Sequence, residues 1–259
     1  RLTGRVLLDQ TLTPEFMPQA TPGAPNADGF EGIVASPQVS VERGFYTTPF
    51  QVTLTAPTAG SQVYFTTNGS APTPANGTLY AGSIQVSAST TLRAQAFRDG
   101  FLQSTPITHT YLFINDVIRQ NYQATLNLGF PTSWGGTAAD YGMDPDVIGN
   151  FDAQGNYLGG DLFGGTYAAT IKNDLLALPT MSIVMNMSEM FGPSGIYTNS
   201  SAGGDAWERA ASIELINPDG SDGFQIDAGI RTQGGAFRSH GLTRKHSLRL
   251  LFKGEYEGN

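Results

Sequence analysis

Between Pro37 and Phe113, apolar and polar residues change places at every step in short bursts, and each burst ends in turn chemistry. Phe50-Gln51-Val52-Thr53-Leu54-Thr55 and Val63-Tyr64-Phe65-Thr66 are two such bursts. Ser83-Ile84-Gln85-Val86, the run from Thr91 to Phe97 and the run from Thr108 to Phe113 follow, with Asn68-Gly69-Ser70 and Asp99-Gly100 as punctuation. A period of two places alternate side chains on opposite faces of a pleated strand, and Asn-Gly or Asp-Gly supplies the positive φ of a tight hairpin. Several short strands, each with one apolar face to bury, are satisfied by two sheets packed face to face. The expectation for residues 37–113 is an immunoglobulin-like β-sandwich.

The flanks are organised differently. Residues 1–36 carry one apolar stretch, Val6-Leu7-Leu8, and then Pro14, Pro18 and Thr21-Pro22-Gly23-Ala24-Pro25-Asn26, the composition of a linker or the tail of a preceding domain. Residues 114–178 form a connecting segment, with a helical turn expected near Asn115 to Gln120 and a long ordered loop over the Gly-, Asp- and Asn-rich stretch from Gly129 to Gly165. Strand patterns return at Met181 to Met185, Ala211 to Ile216, Phe224 to Arg231 and Ser247 to Phe252, which predicts a second, antiparallel sheet over 179–259. The fold class expected is therefore mainly β, a sandwich followed by an incomplete α+β unit. A start at Arg1 without methionine, and a charged end, read as a piece of a larger multidomain protein.

Charge and cysteine content remove several function classes. A formal net charge of -8 disfavours nucleic acid and anionic membranes as partners. With no cysteine, disulfides, zinc-thiolate sites and thiol catalysis are absent. No apolar run approaches the ~18 residues that span a bilayer. An acidic, Ser- and Thr-rich chain suits a secreted or cell-surface setting, with other protein subunits, cell-surface components or polysaccharide as partners.

Two stretches have recognisable wording. Gly44-Phe45-Tyr46, Val63-Tyr64-Phe65-Thr66-Thr67-Asn68-Gly69-Ser70-Ala71-Pro72-Thr73, Leu92-Arg93-Ala94 and Tyr111 resemble the immunoglobulin-like module at the C-terminus of chitobiases and β-hexosaminidases. Asn68 departs from that family's usual aspartate, although both residue types cap such turns. The resemblance implies an accessory spacer. Further on, Leu178-Pro179-Thr180, Gly195-Ile196-Tyr197, Trp207-Glu208-Arg209, Gly229-Ile230-Arg231, Gly234-Gly235 and Lys245-His246-Ser247-Leu248-Arg249-Leu250 resemble the first portion of the spore-coat CotH kinase family. That resemblance implies a kinase-like N-lobe with a phosphate-contacting lysine at Lys245. It also implies that the metal-binding and catalytic acids lie downstream of Asn259, so that ATP and Mg²⁺ matter only to the full domain.

Among residues that can carry chemistry, Gly234-Gly235-Ala236-Phe237-Arg238 joins two expected strands and can offer backbone N–H groups to phosphate, with Arg231 and Arg238 as bidentate donors. The expectation is that the Lys245 ammonium shares a concavity with those amides; the alternative is pairing with a carboxylate such as Glu214. Asp152 and Asn156, and Asn217 and Asp219, place oxygen donors around a glycine as calcium loops do, although plain Asx turns explain the same spacing. His109, His240 and His246 lack any metal-binding spacing, and no Gly-x-Ser-x-Gly elbow occurs. Tyr64, Tyr80, Trp134 and Trp207 are stacking candidates for sugar rings if exposed. The leading expectation is a non-catalytic architectural or adhesive module with no required cofactor. Its rivals are a kinase truncated before its catalytic acids and a carbohydrate-binding accessory module.

Overall fold

The computed structural model describes residues 29–256; of the stretch 1–36 expected as a linker or domain tail, residues 1–28 lie outside them, whereas Gly32–Ile33 pairs with the sandwich and Val34 enters its core. A five-stranded sheet is built from β1 (Gly44–Phe45), β2 (Gln62–Thr66), β3 (Thr78–Leu79), β4 (Thr90–Phe97) and β5 (Ile107–Leu112), in the order β1-β5-β4-β2-β3. β4 runs antiparallel to both neighbours, and β1 joins β5 in parallel through Tyr111 opposite Gly44. Facing it are shorter ladders: Gln38–Val39 with Leu54–Thr55, Phe50–Val52 with Ile84–Val86, and a parallel pair of Gly32–Ile33 with Phe101–Leu102. Val34, Val52, Leu54, Val63, Val86, Leu92, Ala94, Ala96, Tyr111 and Phe113 are buried between the layers. Except for Val34, which precedes the alternating stretch, the alternation predicted from sequence sorts these residues inward, and the architecture is that of a β-sandwich.

One expected strand divides. Val52 and Leu54 both face the core, but the ladder changes partner at Thr53, whose carbonyl accepts from Ser40 N–H at 3.0 Å and whose N–H donates to Ser40 Oγ at 2.8 Å. Side-chain periodicity survives a change of hydrogen-bonding partner, so the pattern alone reads as one strand where the backbone makes two.

The second sheet is four-stranded and antiparallel: β6 (Thr180–Val184), β7 (Arg209–Ile216), β8 (Phe224–Gln233) and β9 (Ser247–Leu251), in chain order. One face buries Ala211, Ile213, Ala228 and Ile230 together with Met185 and Ile196. The stretch from Gly129 to Gly165, expected as a long ordered loop, carries a short helix at Pro145–Ile148 and small hairpins at Ser133–Trp134 with Thr137–Ala138 and Asn150–Phe151 with Tyr157–Gly159. The rest of the connecting segment adds short helices at Ile114–Val117, Tyr122–Asn127 and Ile171–Leu175. Among the described residues no helix is long and apolar enough to cross a membrane.

Candidate functional site

The two sheets meet through polar faces. Register puts Thr66, Arg93 and Thr108 side by side on the outer face of the sandwich, with Thr110 beyond them. On the second sheet Ser182 lies opposite Glu214, and Ser212 lies opposite both Val184 and Asp227. Such residues ordinarily face water, yet Thr66, Arg93, Thr108, Thr110, Ser212, Glu214 and Asp227 are all buried.

Glu214 is the centre of this junction and is 0% exposed. It accepts the Thr110 backbone N–H at 3.1 Å and also the Thr110 hydroxyl. Because that proton is committed to the carboxylate, the 2.7 Å contact between Thr110 Oγ1 and Ser182 Oγ is donated by Ser182. Arg43 brings a positive charge to 3.4 Å. Burial raises the Glu214 pKa above the ordinary glutamate value, opposed by the Thr110 hydrogen bonds and by Arg43. Arg93, also buried, donates to the Gly69 carbonyl at 3.2 Å; burial lowers its pKa while Asp227 and Glu214 act in the opposite sense. The Asn68-Gly69-Ser70 turn completes the contact. Gly69 has φ +82°, and a Cβ there would stand 2.8 Å from the Met185 carbonyl of the second half. Glycine is thus required twice, by conformation and by space.

The cations named from sequence are dispersed. Arg231 donates to Asp205 at 3.0 Å and lies 3.9 Å from Glu208. Arg238 donates to the Ala202 carbonyl at 2.8 Å. The Lys245 ammonium is exposed and lies 3.9 Å from Asp140, whereas Glu214 is buried at the junction. Gly234 and Gly235 sit at the open loop between β8 and β9, where the Arg238 N–H closes a turn onto Gly235 O at 3.1 Å. Glu208 is held by Lys253 at 2.8 Å and Tyr256 at 2.5 Å; burial works to raise its pKa, but these partners bring it below the usual value.

The oxygen-rich loops are closed on themselves. Asp152 accepts the N–H groups of Gln154 and Asn156 at 2.9 and 2.8 Å and the Asn156 amide at 2.9 Å, and those bonds from Asn156 lower its pKa. Asp219 takes the Ser221 hydroxyl and N–H at 2.7 and 2.9 Å, which lowers its pKa likewise. Asn217 donates to the Asp222 carbonyl at 3.0 Å. Among the described residues no group of three or more His, Cys, Asp or Glu gathers as a metal site.

The aromatic candidates are mostly packed. Tyr64 stands edge-on to Phe97 at 5.7 Å, Tyr80 lies against the sandwich core, and Trp134 is buried with its indole N–H on the Tyr141 hydroxyl at 3.1 Å. Trp207 is partly covered, with the Arg209 guanidinium 5.7 Å from its ring. A groove of ≈ 950 Å³ lies between Ala88-Ser89 of the sandwich and the connecting segment, and includes Tyr122, Phe130 and Tyr141. Histidines that spacing leaves scattered are adjacent in space: His240 Nδ1 and His246 Nε2 are 2.8 Å apart, and the ring of Tyr197 packs on both.

The architecture defines a mainly β protein whose sandwich is joined through a buried polar junction to a second sheet. Residues 41–109 match the family model of the chitobiase/beta-hexosaminidase C-terminal domain, so this stretch is similar to a module typical of non-catalytic accessory positions in glycosidases. No curated protein and no solved structure matches the chain.

Proposed function

We propose that this chain is a non-catalytic architectural module in which the sandwich and the second sheet act as one rigid body, carried on a secreted or cell-surface protein. The observation that supports it most is the Glu214 junction. It turns the sandwich's outer strand face, which a free spacer would leave to solvent, into an interior surface fixed in orientation by directional hydrogen bonds. Its partners are other protein subunits or cell-surface components. Any polysaccharide contact falls on exposed aromatics of the connecting segment, such as Tyr122, Tyr157 and Tyr167, because the outer face of β4 and β5 is covered.

The kinase-like ancestry of residues 179–259 is a second reading, favoured by the Gly234-Gly235 loop leading to Lys245. Against nucleotide use in this chain, Arg231 and Arg238 are already committed to other partners. Calorimetric titration with Mg-ATP and a phosphotransfer assay separate the readings: the module reading expects neither binding heat nor turnover, and turnover by the pure chain overturns it. Calcium enters the proposal only as a ligand of the Asp152 or Asp219 loops. Unfolding of the intact chain tests the rigid body directly. A single cooperative transition is expected, and two separable transitions would refute it.

A further inference from the structure

Ser200, His240 and His246 form an unbroken chain of contacts between two backbone carbonyls. Ser200 Oγ donates to the Arg238 carbonyl, and it lies 3.2 Å from His240 Nε2. His240 Nδ1 is 2.8 Å from His246 Nε2, and His246 Nδ1 is 3.1 Å from the Phe237 carbonyl. A carbonyl only accepts, so the two ends fix the direction of every bond between them. The Phe237 carbonyl requires the proton of His246 on Nδ1, which leaves His246 Nε2 as an acceptor. That acceptor requires the proton of His240 on Nδ1, which leaves His240 Nε2 with a lone pair. The Ser200 proton is on the Arg238 carbonyl, so this lone pair faces the lone pairs of Ser200 Oγ across the longest distance in the chain. Four links thus share three protons in the neutral state.

We propose that this relay is a proton-binding latch: one added proton settles on His240 Nε2, completes the link to Ser200, and clamps the loop between β8 and β9 to the Gly195 to Ala202 segment. Of the four ring nitrogens, His240 Nε2 is the one that neither carries a proton nor accepts one in the neutral relay, and this free lone pair marks where the added proton enters. Burial, with the nearby His240, keeps the His246 pKa below the ordinary imidazole range although the Phe237 carbonyl pulls it up. Facing the pair from the 133–141 hairpin are Trp134, whose ring is 6.5 Å from His240, and Gly135, where a Cβ would stand 2.6 Å from the His240 ring. The Asp140 carboxylate acts on Tyr197, the ring packed on both histidines, and lies 3.9 Å from the Lys245 ammonium. The Tyr197 hydroxyl accepts the His246 backbone N–H at 3.2 Å and donates to the Arg244 carbonyl at 2.9 Å. The Arg238 guanidinium is turned to the Ala202 carbonyl. Ser200 is 2% exposed and committed to a carbonyl, so the serine holds the loop and does not attack a substrate.

The test uses the intact chain. Nitrogen-15 spectra of the imidazoles across a pH titration should show both His240 and His246 as Nδ1–H tautomers in base. On acidification His240 alone should become doubly protonated, while amide hydrogen exchange in 234–246 slows, after correction for intrinsic rates. Ser200→Ala removes the acceptor of the fourth link and should weaken proton uptake roughly tenfold, the worth of one buried hydrogen bond to a charged group. An Nε2–H tautomer on either ring in base, independent titration of both rings, or unchanged exchange across proton uptake would overturn the latch. The wild-type titration is decisive even if Ser200→Ala does not fold.

Discussion

Replacing Glu214 by alanine removes, at one position, the acceptor of the Thr110 N–H and hydroxyl and the counter-charge of Arg43, which is partly exposed while Glu214 and Thr110 are buried. A buried donor left without an acceptor costs about 1–3 kcal/mol, and breaking a buried ion pair by removing one partner costs about 3–5 kcal/mol. The two overlap here, so the expected loss is about 3–5 kcal/mol. For a chain of this size that corresponds to a fall in Tm of roughly 6–20 °C. Glu214→Gln should behave differently. It keeps an oxygen for the Thr110 N–H, and it removes the burial penalty on the charged form that raises the Glu214 pKa. Against this it takes away the charge facing Arg43, so the net change is expected within about 1 kcal/mol. The sign with pH follows. A carboxyl whose folded pKa is raised binds protons more tightly in the folded state, so its contribution is fully present below the unfolded glutamate value and is lost as pH rises through the folded one. Glu214→Gln should erase that component. Urea unfolding of the three proteins from acid to neutral pH reads all of this. An alanine variant within 1 kcal/mol of wild type, or a glutamine variant as costly as alanine, would refute the account of the junction.

Three further outcomes are expected. Gly69→Ala should cost more than Gly60→Ala by denaturant midpoint: both have φ near +80°, but only at Gly69 does the added carbon meet the Met185 carbonyl, and equal costs would contradict the close approach. His109 is buried, and burial, followed by Arg43, lowers its pKa from 6.5 to about 4. Stability should therefore fall as pH drops between those values, by at most about 3 kcal/mol, and His109→Gln should flatten this limb of the profile. Exchanging calcium for EDTA should leave Tm unchanged, since Asp152 and Asp219 are satisfied by their own turns; a rise with calcium that Asp152→Asn abolishes would establish a site.

What can be read from the sequence divides along a physical line. The period of two correctly sorts Val52, Leu54, Leu92, Ala94 and Ala96 into one core, and Ala211, Ile213, Ala228 and Ile230 into another, because burying an apolar side chain in a strand leaves a local signature. The opposite faces of the same strands read by default as solvated. Periodicity tells which residues share a face and is silent on what covers it, so Thr66, Arg93, Thr108 and Thr110 give no warning that Ser212, Glu214 and Asp227 are set against them. The pairing of His240 with His246 escapes for a related reason: spacing rules for paired histidines assume a helix or strand, and here a loop folds back to bring the rings together. One signal is nonetheless present. Between Gln62 and Leu112 the chain has no lysine, and its charged residues are only Arg93, Arg98 and Asp99. Solvated strand faces are normally guarded by long, flexible charges, whereas Thr and a single Arg are short or hydrogen-bonding side chains that tolerate burial when partners are supplied. A polar stripe rich in threonine and lacking lysine, set in a strand with an apolar reverse face, therefore points to a buried polar contact with another element and not to water.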